Sequence, residues 1–143
     1  MPGRRLVLAP AELLGGGLED RSLKTILSAD ELMMAQRLVR QLPVGDQVVD
    51  AILKLVRSAR PGTGIDQEFE DMIAWGPGPR ASQALMLAVR AKAMIEGRLA
   101  PSIDDVIELA EPVLKHRMAL TFAARAEGLQ MSDLVAKLVK PLG

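Results

Sequence analysis

The chain of 143 residues contains no cysteine and a single histidine, His116. The missing thiols exclude disulfides, thiolate metal sites and a cysteine nucleophile, and one histidine cannot form a histidine metal cluster. No apolar run approaches the roughly 18 residues that a transmembrane helix needs, and the N-terminus has no apolar stretch typical of a signal peptide. We therefore expect a cytoplasmic protein without a metal site or a membrane association.

An excess of either charge is also missing, since 18 lysines and arginines balance 18 aspartates and glutamates. This balance argues against a general nucleic-acid binder, which usually carries more basic than acidic residues. A small helical DNA-binding domain is the weakest hypothesis, because only scattered arginines and the cluster Lys115-His116-Arg117 support it. The chain also lacks a glycine-rich phosphate loop ending in lysine, so it is not expected to hold a triphosphate or to be an enzyme by itself.

Aromatic residues make up only 2% of the chain, whereas hydrophobic residues make up 49%. The core must therefore consist of aliphatic side chains, alanine and methionine, a composition that favours packed helices over sheets. We predict an all-α fold, a small bundle of about five helices, over residues 26–143. Residues 1–25, which include Pro10 and the triplet Gly15-Gly16-Gly17, are predicted to form a poorly ordered tail or linker.

Helix starts are predicted where a side chain can accept a hydrogen bond from a free first-turn amide. The predicted capping residues are Ser28 with Glu31, Asp46, Ser102 with Asp105, and Ser132 with Asp133. Pro79 is predicted to lie near the first position of the third helix, where its missing N–H costs little. Pro112 is expected to break or restart the fourth helix, and residues 118–127 give no clear pattern.

Core positions are also predicted for side chains that could serve other purposes. We expect Trp75 to pack in the core between helices rather than to stack on a nucleotide base. The methionines are expected to fill the core: Met33, Met34, Met86 and Met94.

Arg80 violates a rule that the other predicted helix starts obey. It follows Pro79 directly, so it lies in a first helical turn, where a cation is unfavourable by about 0.3–1 kcal/mol if exposed. Such local inconsistencies tend to mark functional sites. The sign reverses if an anion binds, because free amides, the helix dipole and the guanidinium then converge on it. An exposed arginine without any function is the alternative, and dipole logic alone favours it.

Two sequence blocks resemble the MoxR family of AAA+ ATPases. Residues 75–82 read WGPGPRAS and residues 112–117 read PVLKHR, where the family carries tryptophan-glycine, serine-proline-arginine-alanine and later valine-leucine-arginine-histidine-arginine. Residues 27–32 are similar to the start of the family's first lid helix. Gly78 replaces the usual serine, and Lys115 replaces the usual arginine. The resemblance covers residues 26–143 and corresponds to the C-terminal helical lid without the nucleotide-binding domain.

The resemblance implies that Arg80 is the sensor 2 arginine, which reaches the γ-phosphate of ATP. It also implies that Gly76, Gly78 and Pro79 lie close to the nucleotide, although the glycines could equally form a plain turn. ATP and Mg²⁺ would be held by the nucleotide-binding domain of the same or a neighbouring subunit. The parent protein would be a hexameric, chaperone-like ATPase that acts with von Willebrand factor A proteins in the maturation of protein complexes or metal centres.

Two further interpretations remain open. The chain could be a free-standing helical interaction module that binds a partner through apolar residues such as Leu6, Val7 and Leu8, without any link to nucleotide. The cluster Lys115-His116-Arg117 lies near the predicted end of the fourth helix, where cations are favourable. We therefore interpret this cluster as a helix cap or a subunit contact rather than as a catalytic group.

Overall fold

A computed structural model describes residues 26–62 and 67–143 of the chain. The described residues divide into two units, one that ends at Leu38 and a compact one over residues 39–143. The predicted tail or linker over residues 1–25 lies outside the described residues, and so do Leu6, Val7 and Leu8.

The described residues are mostly helical, and the predicted all-α fold is confirmed. The helices are α1 (Ala29–Gln41), α2 (Asp46–Ser58), α3 (Gln67–Glu70), α4 (Pro79–Ile95), α5 (Ile103–Leu114), α6 (Phe122–Ala126) and α7 (Met131–Val139), followed by a 3-10 helix (Lys140–Leu142). Two short strands that the sequence did not predict, β1 (Ile73–Trp75) and β2 (Ala119–Leu120), form one antiparallel pair.

Helices α2 and α5 lie at the centre of the second unit, because each packs against the other and against both α4 and α7. The core between these helices is aliphatic, apart from the buried Phe69. Its fully enclosed leucines and valines include Leu55, Leu85, Val89, Val106, Leu114 and Leu134. Each such side chain contributes about 1.5–3 kcal/mol to folding through its removal from water.

Two of the four predicted helix caps are confirmed. The Ser28 hydroxyl accepts from the Glu31 N–H at 3.2 Å, and Ser102 with Asp105 forms a capping box at the start of α5. The other two predicted N-caps are wrong by one or two positions, but Asp133 takes part in the cap of the last helix as predicted. Gly45 precedes α2, so that Asp46 is already helical. The last helix begins after Gln130, whose N–H donates to the Asp133 carboxylate at 3.2 Å.

The prediction that Pro112 breaks the fourth helix is also wrong, since α5 continues through it to Leu114. Pro112 removes the amide that the Glu108 carbonyl would otherwise accept from, and both residues are exposed. Water can therefore satisfy that carbonyl, and the helix tolerates the proline close to its C-terminal end.

Trp75 is not the core anchor that the sequence suggested, because 54% of it is exposed. Ile73 on the same strand is buried, but the pairing with β2 shifts register between Ile73 and Trp75. This irregularity removes Trp75 from the buried face. Met33 and Met34 were likewise predicted to fill the core, yet they are 50% and 62% exposed. Helix α1 carries apolar residues on several sides, so one helix face cannot cover them all.

None of the helices in the described residues combines the length and apolarity that crossing a membrane requires. The same residues contain no cluster of three or more histidine, cysteine, aspartate or glutamate side chains that could bind a metal ion.

Candidate functional site

The loop from Gly76 to Gly78 joins β1 to α4 and is held tightly against the end of α2. A Cβ atom at Gly76 would clash with the Ala59 carbonyl oxygen and would lie 2.8 Å from the Arg60 Cα. Only glycine permits this approach of two backbone segments, so Gly76 has the geometric role that the sequence suggested.

A hydrogen bond reinforces this close approach. The Arg60 Nε donates to the Pro77 carbonyl at 2.7 Å, and the Pro77 ring is fully buried. A buried ring and a charge-assisted hydrogen bond together fix the backbone just ahead of α4. The N-terminus of α4 is therefore tied to the C-terminal end of α2.

Helix α4 begins as predicted, with Pro79 at its first position and Gly78 as its N-cap. Gly78 has φ −80° and ψ −179°, which is extended backbone open to any residue, and a Cβ there would contact nothing within 4 Å. Unlike Gly76, Gly78 is thus not required by the backbone. Its lack of a side chain leaves the first-turn amides of α4 without a side-chain cap.

Arg80 lies exposed in this first turn, which contains no acidic residue. Among the described residues, the Arg80 guanidinium has no hydrogen-bond or ion-pair partner. The Ala81 N–H donates to the Gly78 carbonyl at 2.9 Å, so part of the backbone of this turn is satisfied. The turn therefore combines a helix start without a side-chain cap, the positive end of the helix dipole and an unpaired cation. Every one of these features favours the binding of an anion.

Arg80 also lines a groove of about 630 Å³ along the outer face of α4, which we name the α4 groove. Its other lining residues are Arg40 from the end of α1 and Gln83, Ala84, Met86, Leu87 and Arg90 from α4. All of them belong to the second compact unit. The groove thus brings together three arginines from two helices and no carboxylate, and the sequence gave no signal that Arg40 and Arg90 would join Arg80.

A family model described as the AAA lid domain matches residues 66–138, which are 73 of the 143 residues. The chain belongs to the AAA lid domain family. The match includes the loop at Gly76, the first turn of α4 and the whole of α5.

Relatives of known sequence agree with this assignment. The lid is 28% identical over 125 residues to Chaperone MoxR1 of Mycobacterium tuberculosis, with 87% of this chain and 33% of that protein covered. It is 28% identical over 118 residues to the uncharacterized protein YeaC of Bacillus subtilis, with 82% of this chain and 34% of that protein covered. The chain therefore spans about a third of the length of these relatives, and the predicted resemblance to a MoxR-type lid is confirmed.

A solved structure shows the same fold. The crystal structure of a candidate ATPase from Cytophaga hutchinsonii superposes with a TM-score of 0.76 at 23% identity, covering 82% of this lid and 36% of that chain. The helical arrangement described above is thus that of a known protein.

The second block of the MoxR-like pattern, residues 112–117, forms the C-terminal end of α5 and the residues that follow it. The Arg117 Nη1 donates to the Val113 carbonyl at 2.7 Å, and Lys115 lies 3.6 Å from Glu111 in an exposed ion pair. Arg117 therefore satisfies a carbonyl at the end of the helix, where a cation is favourable. This contact agrees with the first of the two roles that the sequence suggested, a helix cap or a subunit contact.

A second charged cluster, which the sequence analysis missed, joins α4 to α5. The Arg98 guanidinium donates to both oxygens of Asp105, at 2.8 and 2.7 Å, and Asp105 is only 3% exposed. The hydrogen bonds from Arg98, together with those from Ser102, hold the pKa of Asp105 below its ordinary value despite burial. Nearby, Glu108 and Glu96 raise the pKa of Lys92.

This cluster is structural, because all of its charges are matched by partners within the lid. A sequence signal existed in part: Asp105 was predicted as the third residue of a capping box. Its partner Arg98 was not predicted, because two residues that pair across a turn leave no periodic pattern in the sequence. The unpaired Arg80 and the paired Arg98 thus mark opposite ends of α4.

Proposed function

We propose that this chain is the lid of a MoxR-type AAA+ ATPase in which Arg80 acts as the sensor 2 arginine. Arg80 would contact the γ-phosphate of ATP bound with Mg²⁺ by a nucleotide-binding domain. The observation that carries the proposal is an exposed, unpaired guanidinium in an uncapped helical turn without any acidic residue.

The chemistry of that turn suits a terminal phosphate. A guanidinium presents several N–H donors in a fixed fork, which matches the oxygens of a phosphoryl group. Charge accumulates on those oxygens as the phosphoryl group is transferred, so a cation fixed beside them stabilises the transition state. The bound triphosphate supplies the reactive phosphoryl group, and this chain supplies the positioned charge.

The tight loop before α4 would make the position of the lid depend on the nucleotide. Only the triphosphate offers the terminal anion that Arg80 binds. Gly76 and the Arg60–Pro77 hydrogen bond tie the Arg80 turn to α2, so a pull on Arg80 is transmitted to the bundle rather than absorbed by the loop. The lid would thereby couple nucleotide state to the arrangement of subunits. Gly78 and Pro79 would lie nearest to the phosphates.

The remaining parts of the proposal concern the whole ATPase. We infer a hexameric ring in which the lid contacts a nucleotide-binding domain and neighbouring subunits. We further infer a chaperone-like role, which agrees with the Mycobacterium tuberculosis relative being a chaperone. This role would be the maturation of protein complexes or metal centres, with a von Willebrand factor A protein as partner.

The test is ATP hydrolysis by the lid assembled with its nucleotide-binding domain. Arg80→Ala is expected to lower kcat about 100-fold or more, because one preorganised charge is removed from the transition state. Arg80→Lys should recover only part of that loss, since lysine keeps the charge but not the fork. The melting temperature should change little, because the side chain is exposed.

Arg125→Ala is the matched control, since Arg125 is an exposed arginine outside the α4 groove. It should leave hydrolysis unchanged. The proposal would be wrong if Arg80→Ala hydrolysed ATP at the normal rate. It would also be wrong if its loss of activity followed only from a large loss of stability.

A further inference from the structure

The α4 groove extends well beyond the turn that holds Arg80. Arg90 lies ten residues further along the helix, which is about 15 Å at a rise of 1.5 Å per residue. A phosphate group held at Arg80 therefore leaves the far end of the groove open to a different ligand. This distal end is formed by Arg40, Leu87 and Arg90.

Arg90 is incompletely satisfied within the lid. Its Nη1 donates to the Arg40 carbonyl at 3.3 Å, a long hydrogen bond, while its Nε is buried and has no partner among the described residues. Most buried polar atoms in folded proteins have a partner, so an isolated buried N–H needs an explanation. The residue as a whole is half-buried, so an acceptor that enters the groove beside Arg90 would meet the outer nitrogens of its guanidinium, of which only Nη1 has a partner among the described residues.

Arg40 adds a second positive charge at the same end. Its side chain is exposed and makes no hydrogen bond or ion pair with any described residue. The described lining of the groove contains no aspartate or glutamate that could neutralise either arginine. Within the described residues, the charge of the distal end is thus left without an acidic partner.

The wall between the two ends of the groove is apolar. Leu87 is 38% exposed, and Ala84 and Met86 beside it are half-buried. A small inorganic anion would leave this wall in contact with water. A protein segment with an acidic residue next to an apolar one would use both features, and arginine and methionine are enriched at protein interfaces.

We propose that the distal end of the α4 groove docks an acidic, amphipathic segment of a partner protein. A carboxylate of the segment accepts hydrogen bonds from Arg90 and pairs with Arg40, while a neighbouring aliphatic side chain covers Leu87. This surface is separate from the Arg80 turn and does not depend on nucleotide, so it stands or falls independently of the sensor 2 assignment.

The test is a titration of the full chain, labelled with nitrogen-15, with a synthetic helical peptide of leucine, alanine and glutamate. We expect the backbone resonances of Arg40, Leu87 and Arg90 to shift, and the shifts to diminish at high salt. Arg90→Gln should weaken the affinity about tenfold, the loss expected for one charge-assisted pair. Arg40→Gln, at an exposed position that folding does not require, should weaken it by a smaller factor.

Three controls make the proposal falsifiable. The same peptide with glutamine in place of glutamate should bind much more weakly, and Arg125→Gln should leave the affinity unchanged. Inorganic triphosphate should shift resonances near Arg80 but not those of Leu87. The proposal is overturned if the acidic peptide fails to shift the distal residues, or if triphosphate shifts them and the peptide does not.

Discussion

The N-termini of α4 and α5 solve the same physical problem in opposite ways. At α5, the Ser102 hydroxyl and the Asp105 carboxylate complete a capping box, and Arg98 neutralises the buried carboxylate. At α4, the N-cap is Gly78 without a side chain, the first turn has no acid, and Arg80 places a cation at the positive end of the dipole. The start of α5 has a side-chain cap and a paired acid, and the start of α4 has neither.

The difference separates a helix start that adds to the stability of the lid from one that does not. A missing side-chain cap and a misplaced cation lower stability by small amounts, and proteins tend to keep such local conflicts at functional sites. The α5 start, by contrast, has every group paired. Substitutions at the two helix starts should therefore act in opposite directions on stability.

The largest effect is expected at the start of α5. Asp105→Asn should lower the free energy of unfolding by about 1.5–3 kcal/mol, because it removes the charge from hydrogen bonds to a buried carboxylate. Urea denaturation at neutral pH measures this loss. Asp104→Asn is the matched control, since the neighbouring Asp104 is exposed, and it should change stability much less.

The pH dependence of the stability of the wild-type lid and of Asp105→Asn identifies the cause of this loss. The pKa of Asp105 is lowered in the folded lid from a model-compound value of 3.8. Its contribution is therefore fully present above that value and is lost as the pH falls through the lower folded pKa. The stability gap between the wild-type lid and Asp105→Asn should stay constant near neutrality and close only below about pH 4. A gap that persists in strong acid would indicate a packing defect instead.

A smaller effect of opposite sign is expected at the start of α4. Arg80→Glu should raise the free energy of unfolding of the lid by about 0.3–1 kcal/mol, because an anion replaces a cation beside the positive end of α4. Thermal denaturation at low salt measures it. Arg125 lies in the last turn of α6, at the negative end of a helix dipole. Arg125→Glu should therefore leave the free energy of unfolding unchanged or lower it. Equal effects at the two sites would exclude the helix dipole as the cause.

The smallest effect concerns the missing cap. Gly78→Ser should raise the free energy of unfolding by about 0.3 kcal/mol, because its Cβ would contact nothing within 4 Å and its hydroxyl can share the Ala81 N–H, which now donates to the Gly78 carbonyl. Gly76→Ser is the contrasting variant, since its Cβ would clash with the backbone at Ala59 and Arg60. Denaturation curves should show a slight gain in the free energy of unfolding for Gly78→Ser and a clear loss for Gly76→Ser.

Local interactions explain which features could be predicted from the sequence. The capping boxes at Ser28 and Ser102, and the start of α4 at Pro79, each depend on residues within one helical turn. The aliphatic core followed from composition, since three aromatic residues cannot fill a domain of this size. The unusual position of Arg80 was also visible, because helix-dipole logic needs only the neighbouring residues.

Features that join distant segments were not predictable in this way. The pairing of Ile73 with Leu120 brings together strands separated by more than 40 residues, and the shift in its register exposes Trp75. The α4 groove likewise depends on where the end of α1 lies against α4, so Arg40 and Arg90 carried no signal of their own. Glycine capping of α2 at Gly45 was missed because Asp46 beside it is the stronger capping residue type.

The exposure of Trp75 gives the molecule an internal optical reporter. It is the sole indole in the sequence, there is no tyrosine to compete with its emission, and it lies five residues from Arg80. Any surface that covers the Arg80 turn would change the water around this ring. Assembly of the lid with other domains should therefore be visible as a shift in intrinsic fluorescence, and the cysteine-free background leaves every other position free for a single thiol-linked dye.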